Sequence, residues 1–218
     1  MNDRMALVQQ IKQAGIIVVV RASADTHLDR AIRTLRDEGL TAFEITLTTP
    51  AALAHIQSLR SSAPDCVVGA GTVIDPETAT AALAAGAQFI VSPVFDPRVI
   101  EAAHRRDAVA VPGTFTPTEA LRAWEAGADI VKVFPASVVG PEYIKAMRGP
   151  LPQIRLMPTG GVDLDNALAF LEAGSFVLSV GTSLLDDEAL TRGEFAPAAR
   201  KARALRSIVE SFARKEGR

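Results

Sequence analysis

The residue in this sequence best placed for covalent chemistry is Lys132, set inside the apolar run Ile130-Val131-Lys132-Val133-Phe134. Strand alternation puts Ile130, Lys132 and Phe134 on one face and Val131 and Val133 on the other. A lysine desolvated on either face is pushed toward its neutral amine. A neutral amine is a nucleophile, and with a carbonyl substrate it forms a Schiff base. The alternative is an ammonium that reaches the rim of the fold or pairs with a carboxylate. Glu44, in Ala42-Phe43-Glu44-Ile45-Thr46-Leu47, is embedded in the same way. It shares a face with Thr46, opposite Phe43, Ile45 and Leu47. A carboxylate inside an apolar layer needs a partner or a raised proton affinity. Either suits it to general acid or base work, and a static ion pair with Lys132 is the competing reading.

Two glycine-rich turns, Thr159-Gly160-Gly161 and Gly181-Thr182-Ser183, add a second kind of chemistry. Glycines let backbone N–H groups approach phosphate oxygens, and a helix amino end adds favourable potential; two tight turns of no further use are the plainer explanation. Thr72, after Gly71, supplies a hydroxyl, and Arg21 supplies a guanidinium that could hold a carboxylate.

Four repeats show how these residues are positioned. Gly39, Gly86, Gly127 and Gly174 each close an apparent helix and lead into an apolar run, at spacings of 47, 41 and 47 residues. Glycine belongs there because the chain turns through a left-handed conformation. Each period holds two strands and two helices. The intervening strands are Cys66 to Gly69, Ala108 to Pro112 and Arg155 to Pro158, with Gly15 to Arg21 before the first repeat. Helix starts follow at Asp75-Pro76-Glu77, at Thr116-Pro117-Thr118-Glu119, which reads as a capping box, and at Asp163-Leu164-Asp165. Eight doubly buried strands alternating with helices imply parallel pairing. The expected fold is therefore α/β: a single (β/α)8 TIM barrel over residues 1–218 with a short helix at Met1 to Gln13. An open doubly wound sheet is the runner-up, but its glycine fingerprint is incomplete, since Gly69-Ala70-Gly71 is followed by Ile74 where the third glycine belongs. In the barrel, strand carboxyl ends carry the chemistry, and the loops after the seventh and eighth strands commonly bind phosphate.

Composition excludes several classes. With 23 Lys+Arg against 25 Asp+Glu and a net charge of −2, the chain has no footprint for nucleic acid. No run approaches the roughly 20 apolar residues of a membrane span, and the amino terminus does not read as a signal peptide, so a cytoplasmic protein is expected. The one cysteine, Cys66, cannot form an intrachain disulfide. His27, His55 and His104 lack metal-ligand spacing, so no metal is expected. Asp186-Asp187-Glu188 reads as a solvated loop, and the basic residues between Arg200 and Arg214 as the outer face of a helix.

Taken in order, Glu44, Gly69-Ala70-Gly71-Thr72-Val73, Val131-Lys132-Val133-Phe134-Pro135-Ala136 and Pro158-Thr159-Gly160-Gly161-Val162 give nearly the whole chain a resemblance. It resembles the bacterial 2-keto-3-deoxy-6-phosphogluconate / 4-hydroxy-2-oxoglutarate aldolase family. The resemblance implies a class I aldolase without metal or other cofactor, acting on a phosphorylated 2-keto-3-deoxy acid as a homotrimer. In it Lys132 would form the Schiff base and Glu44 would move protons. Thr72 would hold the pyruvate carboxylate, Phe134 and Pro93 would pack around the pyruvyl portion, and Gly160, Gly161 and Ser183, with Gly181 in the same turn, would take the phosphate. One departure stands out. Family members often carry an arginine four residues after the glutamate, where this chain has Thr48; an arginine closing the first strand, as Arg21 does, resembles the related phosphogalactonate aldolases. The competing functions are a phosphosugar isomerase or epimerase using Glu44 as base, and a barrel that binds phosphorylated ligands without turnover.

Overall fold

Helix and strand alternate along residues 3–24 and 27–217, which the computed structural model describes. Helix α1 (Asp3–Ala14) precedes β1 (Ile16–Val20), α2 (Leu28–Asp37), β2 (Ala42–Thr46), α3 (Ala52–Ser62), β3 (Val67–Gly71), α4 (Pro76–Ala84), β4 (Phe89–Val91) and α5 (Pro97–His104). The second half runs through β5 (Val109–Val111), β6 (Gly113–Thr114), α6 (Pro117–Glu125), β7 (Val131–Val133), α7 (Ala136–Arg148), β8 (Leu156–Pro158), α8 (Ala167–Glu172), β9 (Leu178–Val180), α9 (Asp187–Arg192) and α10 (Ala196–Lys215). Met1 and Asn2 of the expected first helix lie outside the described residues.

Every strand pair is parallel. Six strands follow the order β5-β4-β3-β2-β1-β9, and three follow β6-β7-β8. Backbone bonds join the two groups at both seams. Asp129 N donates to Ala110 O at 3.0 Å, Phe176 N donates to Leu156 O at 2.8 Å, and Thr159 bridges Ser179. The result is a curled parallel sheet with helices outside. The ladder runs past the expected strand Ala108 to Pro112: Pro112, with no N–H to give, ends β5, its carbonyl accepts from Lys132 N at 2.9 Å, and a second short strand, β6, follows.

Alternation divides the core in two. Val18, Phe43, Ile45, Val68, Val131 and Val133 face the helices. Ile17, Ala42, Val67, Phe89, Val91, Val109, Val111, Ile130, Met157 and Val177 fill the concave side together with Val8 and Ile11 of α1. Helix α1 packs on β1, β3 and β5 and covers the amino-terminal end of the sheet. It is tied there by Arg4, whose Nε lies 3.3 Å from Asp129; the same carboxylate contacts His104 Nε2 at 3.1 Å and accepts from Ala110 N at 2.9 Å.

Local signals account for most boundaries. Asp75 caps α4 by accepting from Thr78 N, and Thr116 with Glu119 forms the capping box of α6. The four repeat glycines have φ between 84° and 103°. Two expectations need correction. Asp163 shapes a turn, accepting from Asp165 N and Asn166 N, and α8 starts only at Ala167. Asp186 is a helix cap, accepting from Ala189 N at 2.7 Å, so the acidic run after β9 begins a helix where a solvated loop was expected. Cys66 is buried and unpaired, and burial pushes its thiol above the ordinary value.

Candidate active site

Glu44 and Lys132 both point to the concave side, because each alternates with residues of the helix-facing core. Glu44 is 1% exposed and Lys132 6%. Gly71 on the neighbouring strand makes room for the carboxyl: a Cβ there would overlap Glu44 Oε1. Burial pushes the Glu44 carboxyl above its ordinary value, against the pull of the Lys132 and Arg21 charges. Burial likewise pushes the Lys132 amine below its ordinary value; Glu44 opposes that shift and Arg21 adds to it. The static ion pair does not form. Glu44 Oε2 is buried without a hydrogen-bond partner, and no ion pair within 4.0 Å joins it to Lys132. What results is an amine biased toward its nucleophilic form beside a carboxyl biased toward carrying a proton, a pairing suited to imine formation and proton transfer.

Phe134 gives the lysine its floor, its ring centroid 4.7 Å from Nζ. The ring is held by the glycine turn, since a Cβ on Gly160 would stand 3.1 Å from Phe134 Cε2. Arg21, just after β1, directs Nη2 at Thr72 Oγ1, 3.5 Å away, although 51 residues separate them. Thr72 has φ 61°. A β-branched residue in the left-handed region costs about 1–3 kcal/mol and tends to mark a functional segment. Thr48 is exposed and belongs to a separate hydroxyl chain, 3.1 Å from Thr46 Oγ1, which in turn is 3.1 Å from Thr49 Oγ1.

The phosphate candidates lie on adjoining loops after β8 and β9. Gly160 and Gly161 have φ 83° and 87°, and a Cβ on Gly161 would stand 2.5 Å from Ser137 Cβ. Gly181 lies against Val19, where a Cβ would make ordinary contact at 3.5 Å. Ser183 donates its hydroxyl to Val162 O at 2.7 Å, so its backbone N–H is the donor left for a phosphate. Pro93 is half-buried after β4, its carbonyl packed on Gly113. Two further hydroxyls stand on the concave side, both buried without a partner: Thr159 Oγ1, which the sequence marks only as part of a glycine turn, and Ser179 Oγ, which it does not single out. Ser179 carries the same signal as Lys132, a polar residue between Leu178 and Val180.

A family model described as KDPG and KHG aldolase matches residues 7–200. A 2-dehydro-3-deoxy-phosphogluconate aldolase of Pseudomonas aeruginosa is 36% identical over 203 residues, 93% of this chain and 91% of that protein. A probable 2-dehydro-3-deoxy-6-phosphogalactonate aldolase of Rhizobium meliloti is 36% identical over 171 residues, 78% of this chain and 81% of that one. Among solved structures, one described as native KDPGal matches with a TM-score of 0.85 at 31% identity, covering 91% of this chain and 96% of its own. A Legionella pneumophila KDPG aldolase, with pyruvate captured as a covalent carbinolamine, matches with a TM-score of 0.80 at 26% identity, covering 91% and 97%.

Proposed function

Because the chain belongs to the KDPG and KHG aldolase family, we propose that it is a class I aldolase reversibly cleaving 2-keto-3-deoxy-6-phosphogluconate to pyruvate and glyceraldehyde 3-phosphate. The observation that carries this reading is the buried Lys132 amine, with its lowered proton affinity, facing a buried and partnerless Glu44 oxygen. The amine adds to the substrate's C2 ketone, and loss of water from the carbinolamine leaves an iminium. Glu44 takes the C4 hydroxyl proton as the C3–C4 bond breaks. The electron pair moves to the iminium nitrogen, so the aldehyde leaves and an enamine remains. Glu44 returns its proton to C3, and water then releases pyruvate and the free amine. Phe134 and Pro93 border the pyruvyl portion. The backbone of Gly160, Gly161, Gly181 and Ser183 receives the phosphate.

A second substrate has a specific observation in its favour. Arg21 at the end of β1 reaches Thr72, while Thr48 stands where related phosphogluconate aldolases often carry arginine. That arrangement suits 2-keto-3-deoxy-6-phosphogalactonate, the C4 epimer. Comparing cleavage of the two epimers and of 4-hydroxy-2-oxoglutarate decides the order of preference.

The same proposal takes the two sheets as one closed (β/α)8 barrel and residues 1–218 as one domain. It takes the working form as a cytoplasmic homotrimer; no helix among the described residues is long and apolar enough to cross a membrane. Ile74, Val94 and Phe115, exposed by 58%, 52% and 40% on the loops after β3, β4 and β6, supply an apolar surface for the copies to share. Light scattering of the purified protein checks the trimer.

The test of the chemistry is incubation with pyruvate and borohydride in the presence of a chelator, followed by peptide mass spectrometry. An adduct on Lys132, absent from Lys132→Ala and Lys132→Arg, supports the covalent mechanism. No adduct on a folded protein would move the reading to a non-covalent phosphosugar isomerase with Glu44 as base.

A further inference from the structure

Three polar atoms on the concave side are buried without a partner: Glu44 Oε2, Thr159 Oγ1 and Ser179 Oγ. The strand registers bring Glu44 and Ser179 to the same depth and Thr159 to the layer above them. On one side of Ser179, Ile17 is its partner, and the β1–β2 register pairs Val19 with Glu44. On the other side Thr159 is its partner, and Lys132 pairs with Met157. Glu44 thus stands two strands away and two residues ahead, Lys132 two strands away and two behind. A stagger of one residue per strand joins residues of equal height in an eight-stranded barrel of shear 8, where each layer takes four side chains from alternate strands. The layer is Glu44, Val91, Lys132 and Ser179, with Ser179 between the acid and the amine. The same count makes the next layer, toward the strand carboxyl ends, Val19, Gly71, Gly113 and Thr159. Two of its four members have no side chain, which leaves the space above Lys132 open to a substrate.

Buried polar groups are seldom left unpaired, and an internal water needs two to four polar partners. We propose that Ser179 is a positioning residue: its hydroxyl and that of Thr159 hold one internal water against Glu44 Oε2, and this water aims the carboxylate at the substrate carbon above Lys132. The inference rests on the class I reading and on the closed barrel. It gives Ser179 no contact with the reacting atoms. The charged groups facing Glu44 are Lys132 from β7 and Arg21 from the end of β1. Neither replaces the water, because Lys132 is consumed in the imine and Arg21 is turned toward Thr72.

The experiment follows exchange of the pyruvate methyl protons in heavy water by NMR from pH 5 to 9, alongside borohydride trapping, for the wild type, Ser179→Ala and Ser179→Thr. Exchange reports proton transfer by Glu44, whereas trapping reports Lys132 alone. A water that donates to the charged carboxylate lowers its proton affinity, so its loss moves the acid limb of the exchange profile up by about one pH unit. Ser179→Ala is expected to trap pyruvate as the wild type does, to exchange about tenfold more slowly on that limb, and to regain exchange as Ser179→Thr. Exchange and limb unchanged in Ser179→Ala would overturn the inference while leaving the aldolase reading in place. So would trapping and exchange falling together, which marks a merely structural role for Ser179. A folded wild type that traps no pyruvate would overturn both.

Discussion

Gly71 lies so close to the Glu44 carboxyl that an added Cβ would stand 2.5 Å from Glu44 Cδ. The absence of one side chain on β3 is therefore what lets an acid stand on β2. Gly71→Ala is expected to lower kcat by about a hundredfold while borohydride trapping of pyruvate persists, because the displaced group is the acid and not the amine. Overpacking of this kind costs about 1–3 kcal/mol, so thermal melting should fall by several degrees without loss of the fold.

Glu44 also couples stability to pH. Its folded proton affinity is raised above the ordinary carboxyl value of 4.5, so the folded state holds its proton where the unfolded chain has released it. That contribution is fully present below pH 4.5 and is lost as pH rises through the folded value. Glu44→Gln keeps the neutral form at every pH. Its melting temperature should exceed that of the wild type at pH 8, and the gap should close on acidification toward pH 5; a gap that widens on acidification would contradict the shift.

Arg21 and Thr48 separate two ways of holding a carboxylate. Arg21→Ala is expected to raise KM for pyruvate in the condensation direction by about tenfold or more, since a charge-assisted bond is worth about 1.5–3 kcal/mol. Thr48→Ala should change it by less than about twofold. Equal effects would remove Arg21 from this role.

Gly161 tests the other end of the substrate. With φ 87° and Ser137 Cβ 2.5 Å from an added methyl, Gly161→Ala must distort the loop after β8. KM for glyceraldehyde 3-phosphate should rise at least tenfold, with pyruvate exchange unchanged. A parallel loss of both would place the turn in the folding of the mouth instead of in phosphate recognition.

Much of this site can be read from the chain because burial and polarity conflict there. Lys132 between two valines and Glu44 between Phe43 and Ile45 stand out against strand alternation, and the helix-end glycines mark where each repeat turns. Ser179 breaks the same alternation, but a serine is small enough to pass as a filler, and only the register shows that it stands between the acid and the amine. The approach of Arg21 to Thr72 spans 51 residues and depends on three adjacent strands, which no local pattern records. Asp186 shows a different limit: an acidic run satisfies a solvated loop and a helix start equally well until Ala189 N is found on its side chain.

Helix α1, pinned by Arg4 to Asp129, closes the amino-terminal end of the curled sheet and makes its concave side a blind cup. A substrate that reaches Lys132 would enter from the carboxyl ends of the strands, where the turns proposed for phosphate lie. In the proposed mechanism, a phosphorylated acid with its keto group at the bottom would be its own stopper, shielding the enamine from bulk water while the bond is broken. An unphosphorylated aldehyde would leave the mouth ajar. With such a partner, early protonation and release of pyruvate compete with carbon–carbon bond formation, so tolerance of short aldehydes comes at the expense of coupling yield.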